Sequence, residues 1–175
     1  MPELMLPTTR LHAAFLECRD DWGPGLHEDG FGLVADDDVD SADGFASWVR
    51  QRLRLTHPAG DPCPDEKHAS PRWIVEDGQV LGGIALRHKF DDDIGQIGYG
   101  VRPSARRRGL ASWALGEMLG EARTALGLDR VLIPCLADNI ASARTIEHHG
   151  GVLEGIRDTE HGPVRRYWIA LDRQP

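Results

Sequence analysis

Two hydrophobic rhythms alternate along the chain. In residues 110–126, Leu110, Trp113, Ala114, Met118, Ala122 and Ala125 recur at three- and four-residue spacing, the period of one helix face, and Gly127 follows as a terminator. Residues 41–55 repeat that pattern, with Phe45, Trp48, Val49, Arg52 and Leu55 on one side. Residues 10–19 read as a shorter helix. Residues 139–149 read as another, capped by Asn139 and stopped by Gly150 and Gly151. Elsewhere the rhythm is that of strands. Residues 4–6 form a short one. Residues 73–76 and 80–88 flank the turn signal Asp77-Gly78 and predict a hairpin. An acidic turn at 90–93 leads into a third strand of the same meander, 94–101. Residues 130–136 are almost continuously apolar, as in a strand covered on both faces, and 152–157 and 164–171 close the chain as two more strands. Residues 23–40 are rich in Gly and Asp and read as loop. Residues 57–71, with Pro58, Pro62, Pro64 and Pro71, read as a connection.

The predicted order, β-α-α-β-β-β-α-β-α-β-β, defines an α/β protein: an antiparallel meander followed by crossovers, in a mixed sheet flanked by helices. A length of 175 residues suits one domain spanning 1–175 with a substantial core. No apolar run nears the roughly 18 residues of a membrane span, and the first residues lack a secretory signal, so neither membrane nor export is expected. The net charge of −8 argues against nucleic acid, whose phosphates demand a basic face. The three cysteines (Cys18, Cys63, Cys135) have no paired or metal-binding spacing, which favours a reducing cytoplasm, and no metal is expected. Cys135 lies in an apolar run and reads as core.

Against that acidic background, residues 98–111 (GYGVRPSARRRGLA) stand out. A β-prone run ends at Pro103, Arg102, Arg106, Arg107 and Arg108 form a positive island, and Gly109 opens the long helix. The first N–H groups of a helix lack partners and its dipole favours negative charge, so a strand feeding a Gly-containing, Arg-rich turn is an anion-binding device. Gly109 has no Cβ and admits close approach of a phosphate. The P-loop string is absent, and Gly98 and Gly100 fail the dinucleotide pattern because Pro103 follows.

The pattern Q/R-x-x-G-x-G/A is filled by Arg106, Gly109 and Ala111, and it resembles the acyl-CoA pyrophosphate arm of the GNAT superfamily of N-acetyltransferases. The order of elements resembles that superfamily over essentially the whole chain. Within it, Leu86-Arg87-His88, residues 96–104 (QIGYGVRPS), residues 138–142 (DNIAS) and Arg166-Tyr167-Trp168 resemble one poorly characterised subgroup, with Gln96 in place of the usual His. The resemblance implies acetyl-CoA as co-substrate, with pantetheine in a V between the strand before the arginines and the strand after the long helix. It implies that Tyr99, Gly100 and Val101 pair with pantetheine and that Arg106, Arg107, Arg108, Gly109, Leu110 and Ala111 cradle the pyrophosphate. Asn139, Ser142 and Gly150 resemble the family's N-x-x-S/A…G pattern, which places Asn139 and Ser142 at the pantetheine or the departing sulfur; Asn139 also reads as a simple helix cap.

Acyl transfer to an amine needs a neutral amine, a stabilised oxyanion and a departing thiolate. A lysine amine is neutral at pH 7 at a cost of roughly 4.6 kcal/mol, an α-amine at only about 1 kcal/mol, so a base matters more for the first. The N–H groups near Gly100 and Val101 are the candidate oxyanion donors. Many family members carry a Tyr acid seven residues after the Asn; here Ile146 stands there. Tyr167 is the substitute acid and His88 the candidate base, each with a packing role as the alternative. Asp91, Asp92 and Asp93 read as a solvated turn, and His148-His149 as a pair facing the helix dipole. Glu28, Asp29, Asp36, Asp37 and Asp38 give the first long loop an acidic rim that favours a cationic amine acceptor. The sequence therefore predicts an N-acetyltransferase moving acetyl to a small-molecule or peptide amine, with a non-catalytic acyl-CoA-binding protein as the alternative. It leaves a homodimer open.

Overall fold

The structure, a computed structural model, describes residues 1–25, 27–28, 30–56, 68–160 and 162–171. Pro58, Pro62, Pro64, Cys63 and Asp29 lie outside the described residues.

The chain begins with strand β1 (Glu3–Met5), a 3-10 turn (Thr9–Leu11) and helix α1 (His12–Trp22), which ends at Gly23 with φ of +82°. Helix α2 (Ala42–Arg54) is capped by Ser41, whose Oγ accepts the Gly44 N–H at 3.0 Å. Strands β2 (Ala69–Glu76) and β3 (Gln79–Arg87) join through Asp77 and Gly78, both at positive φ, as a tight hairpin turn of the primed type requires. Strand β4 (Ile97–Val101), helix α3 (Leu110–Thr124), strand β5 (Arg130–Leu136) and helix α4 (Ile140–His148) follow, and β6 (Val152–Thr159) and β7 (Gly162–Ala170) close the chain.

Several predicted boundaries move, two of them for a visible cause. Pro71 lies inside β2, not in the connection. The β2–β3 register makes Ser70 and Arg72 the residues that bond β3, so Pro71 turns its missing N–H the other way, where β1 has already ended opposite Trp73. Strand β4 starts at Ile97 and not at Ile94, because Asp91 Oδ1 accepts the Asp93 and Ile94 N–H groups (3.0 and 3.1 Å) and Gly95 takes φ of +64°, which spends 91–95 on a turn.

The strands form two antiparallel sheets, ordered β1-β2-β3-β4 and β5-β7-β6. Helices α1 and α2 cover one face through an aromatic cluster of Phe15, Phe31, Phe45, Trp48 and Trp73. Helices α3 and α4 cover the other, where Leu115, Met118 and Ile146 pack on Ile84, Leu86, Ile133 and Tyr167 across both sheets. Cys18 and Cys135 are both buried, as read for Cys135. Among the described residues no helix is long and apolar enough to cross a membrane.

Candidate active site

The two sheets meet at one point. Gln96 N–H donates to Leu132 O at 2.8 Å, and the Gln96 side chain accepts the Leu132 N–H at 3.3 Å, so the buried amide continues the ladder by one rung. Two residues further along β5 stands Pro134. Leu132 turns its N–H and C=O toward β4, so by strand alternation Pro134 faces the same way and has no N–H to offer. The ladder stops there and β4 and β5 separate. On the β4 side, Arg102 N–H bonds Leu81 O and Arg87 N–H bonds Gln96 O, which assigns Gly98 and Gly100 to the ladder with β3. Ile97, Tyr99 and Val101 therefore point their backbone groups into the gap. Of the two expected oxyanion donors, Val101 N–H faces the opening, and Gly100 N–H is engaged with β3.

The gap leads to the arginine turn. A 3-10 turn (Pro103–Ala105) follows β4, Arg107 and Gly109 take φ of +64° and +76°, and Gly109 is the N-cap of α3 with no side-chain cap. A Cβ on Gly109 would meet nothing within 4 Å, so the position needs glycine for its backbone angle rather than for room. The first intrahelical bond is Trp113 N–H to Gly109 O. Hence the N–H groups of Arg107, Arg108, Gly109, Leu110, Ala111 and Ser112 carry no partner among the described residues: a nest of donors at the positive end of a 15-residue helix.

The guanidinium groups behave differently from the expected positive island. Arg102 Nε donates to Asp21, Arg108 pairs with Glu76, and Arg106 Nε donates to Val101 O at 3.0 Å while its guanidinium lies 4.8 Å over the Trp22 ring. Arg106 and Arg107 have no ion pair among the described residues, and of the two only Arg106 has a side-chain hydrogen bond and a ring contact there. The turn is thus built by its arginines, and its backbone is left to meet an anion. Asp21 holds it in place: one carboxylate oxygen accepts from Ser104 N–H, Ser104 Oγ and Arg102 Nε at 3.0, 2.7 and 3.0 Å. Those bonds, the backbone N–H first, pull its carboxyl down to about 2. Asp21 and Trp22 gave no sign in the sequence, because their partners lie some eighty residues away.

At the far side of the gap stands α4. Asn139 Oδ1 caps it by accepting Ser142 N–H at 3.1 Å. Tyr99 reaches across from β4 and donates its hydroxyl to Ser142 O at 3.4 Å. Burial pushes the Tyr99 phenol up to about 12 and the Cys135 thiol up to about 11, so both stay protonated at neutral pH. The loop between α1 and α2 roofs the gap on the other face. It lies directly on the sheet where three glycines meet: a Cβ on Gly30 would stand 2.0 Å from Gly83 O and 2.9 Å from Gly100 N. From this loop Glu28 accepts the Asn139 Nδ2 hydrogen at 3.2 Å.

The remaining candidates lie elsewhere. His88 receives or donates a hydrogen bond with Ser70 Oγ at 2.9 Å and stacks near His68, with Arg72 and Glu121 as its charged neighbours. Burial lowers its pKa, so it is neutral at pH 7, but it sits at the closed end of β3, apart from Tyr99 and Asn139. Tyr167 is fully buried and donates to Glu147 of α4 at 2.9 Å, as a packing residue would. Asp92 is no free turn carboxylate: it pairs with Arg157 and the buried Arg166. His149 bonds Ser112 O, tying α4 to α3. Among the described residues no group of three or more ligands could hold a metal ion.

These features match known proteins. The sequence model described as an acetyltransferase (GNAT) domain matches residues 34–152, well over half the chain. The chain belongs to the GNAT acetyltransferase family, which makes it an N-acetyltransferase by family and bears out the fold class expected from its sequence. Solved structures agree in fold. One is the microcin self-immunity acetyltransferase MccE in complex with acetyl-CoA and AMP (17% identity, 97% of this chain and 92% of that one, TM-score 0.71). Another is an acetyltransferase of Salmonella typhimurium that modifies the N-terminal serine of a 50S ribosomal subunit protein (17% identity, 98% and 95%, TM-score 0.72). A third is a ribosomal-protein alanine acetyltransferase from Vibrio fischeri (15% identity, 99% and 96%, TM-score 0.70). No curated protein sequence matches significantly.

Proposed function

We propose that the protein moves an acetyl group from acetyl-CoA directly to a primary amine, and that this amine is an α-amine of a peptide or small molecule. The observation that carries the reading is the unpartnered amide nest at 107–112, set at the open end of the β4–β5 gap. Diphosphate oxygens suit these donors, each charge-assisted bond being worth roughly 1.5–3 kcal/mol. The amides of Arg107, Arg108, Gly109, Leu110 and Ala111 hold the diphosphate. Arg106 shapes the turn. The gap-facing backbone of Tyr99 and Val101 pairs with the pantetheine arm, and Asn139 and Ser142 line its far side.

Acetyl-CoA supplies an activated acyl carbon as a thioester. The chain does the rest. Val101 N–H donates to the carbonyl oxygen as it gains charge while the C–N bond forms. The Tyr99 phenol, protonated at neutral pH, gives a proton to the sulfur as the C–S bond breaks, and the proton that the amine nitrogen releases on becoming an amide returns to the phenol through water. His88 and Tyr167 take no part, because neither faces the gap. A site without a strong base suits an α-amine, whose neutral form costs about 1 kcal/mol at pH 7. A neighbour that modifies the N-terminal serine of a ribosomal subunit protein supports the same choice. The second reading, coenzyme binding without turnover, is favoured by the fully buried Ile146 at the usual Tyr position.

Thiol release from acetyl-CoA across a panel of peptide α-amines, lysine side-chain amines and polyamines tests this. Amine-dependent release by wild type, abolished in Gly109→Glu, is expected. Tight coenzyme A binding with no release for any amine selects the second reading, and no binding at all refutes both.

A further inference from the structure

Several acidic residues of this protein are spent on arginine. Asp21 pairs with Arg102, Asp37 with Arg52, Asp40 with Arg19, Glu76 with Arg108, Glu121 with Arg72, and Glu154 with Arg166. Within the loop between α1 and α2, Asp37 also accepts from Trp48 Nε1, and Asp38 accepts from Ser41 at the start of α2. Asp37 and Asp38 thus hold the loop and are not free members of the acidic rim expected from the sequence. Glu28 differs from these and stands at the gap. Among the described residues it has no cationic partner, and its one hydrogen bond is to the neutral side-chain amide of Asn139.

Its position is defined from both sides. Gly30, two residues on, lies against Gly83 and Gly100 so closely that no Cβ fits, which fixes the loop over β3 and β4. Asn139 fixes the other end at the start of α4. Glu28 thus bridges the mouth of the gap on the α1/α2 side. Its negative charge reaches both Tyr99 and Cys135 and makes each harder to ionise. The other charged groups that act on this space are Glu147 and Arg165, and Arg165 Nε is held by Ala137 O.

We propose that Glu28 is the acceptor-recognition residue: its carboxylate receives the ammonium group of the incoming amine at the mouth of the gap, taking it in exchange for the bond to Asn139. An uncompensated carboxylate beside the reacting atoms attracts a cation and repels carboxylate-bearing acceptors. The inference rests on the proposed function and adds the charge of its substrate: the acceptor arrives as an ammonium ion and loses one proton to solvent before the neutral amine attacks.

Glu28→Gln is the test, because glutamine can still accept from Asn139 and so keeps the loop contact. Steady-state kinetics are run with a peptide α-amine that is partly cationic at pH 7, a polyamine that is fully so, and an aromatic amine that is neutral. The KM for cationic acceptors is expected to rise by about tenfold or more, as for loss of a charge-assisted bond, with the neutral acceptor and the coenzyme A Kd unchanged. Glu28→Asp should recover part of the loss, and added salt should raise the wild-type KM more than that of the variant. Cationic KM values within twofold of wild type, or an equal rise for charged and neutral acceptors, overturn the proposal. If wild type acetylates no amine, the proposed function fails separately. Glu28 is then judged by calorimetry of the polyamine with the coenzyme A-loaded protein: ammonium binding lost in Glu28→Gln supports it, and no binding to wild type overturns it.

Discussion

Replacing Asp21 with Asn isolates the contact that positions the amide nest. The carboxylate makes three hydrogen bonds to the turn after β4, and its folded pKa falls from 3.8 to about 2. A depression of nearly two units corresponds to about 2.4 kcal/mol at 1.36 kcal/mol per unit. The side chain is 24% exposed, so solvent screening reduces the figure to about 1–2 kcal/mol. The folded pKa is the lower one, so the stabilisation is complete above the unfolded value near 4 and disappears as pH falls through about 2. Asparagine can keep one acceptor for Ser104 and loses the charge. Denaturant unfolding of both proteins should show the variant less stable by about 1–2 kcal/mol at pH 7, with the difference shrinking steadily below pH 4. Coenzyme A should bind the variant more weakly as well, because Ser104 leads directly into the nest. Equal midpoints at pH 7, or a difference that does not change down to pH 2.5, would refute the reasoning.

Three further outcomes follow from the same geometry. Gly109→Ala forces a Cβ into a left-handed backbone at φ of +76°, so unfolding measurements should show a loss of about 1–2 kcal/mol, with coenzyme A affinity falling too. Gly30→Ala collides with Gly83 O and must lift the loop off the sheet; acceptor KM should rise, with coenzyme A Kd little changed in a direct titration. His88→Gln should leave the pH profile of kcat/KM where it is, since His88 faces Ser70 and not the gap, and a lost or displaced basic limb would restore His88 as the base.

The regular elements of the fold were legible because their signals are local. The 3.6-residue repeat of Leu110 to Ala122, the Asp77-Gly78 turn and the Asn139 cap each declare themselves within a few residues. Of the two boundaries, one depended on a distant partner and one on a side chain folding back on its own turn. Pro71 is tolerated in a strand only because β1 has ended beside it, and 94–96 are lost to a strand because Asp91 folds back on them. The site divides in the same way. The strand, turn and helix that form the amide nest are contiguous, so the motif was readable. The use of its arginines was not: Arg102, Arg106 and Arg108 are committed to Asp21, Val101 O and Glu76, each fixed by tertiary contact. His88 and Tyr167 have suitable chemistry for acid and base, yet strand alternation and burial turn them away from the gap, and a single sequence does not reveal which face of β3 or β7 meets the opening. Glu28 was one acid among five in a loop, and only the tertiary contacts of Asp37 and Asp38 and its own bond to Asn139 set it apart from those two.

The central claim is that the gap between β4 and β5 and the nest at 107–112 hold acetyl-CoA through backbone groups. Amide hydrogen exchange with and without acetyl-CoA tests it most directly. Protection is predicted at Tyr99, Val101 and residues 107–112, with Gly98 and Gly100, already bonded to β3, unaffected. Saturating acetyl-CoA that leaves those amides exchanging as before, while protecting a different surface, would contradict the account.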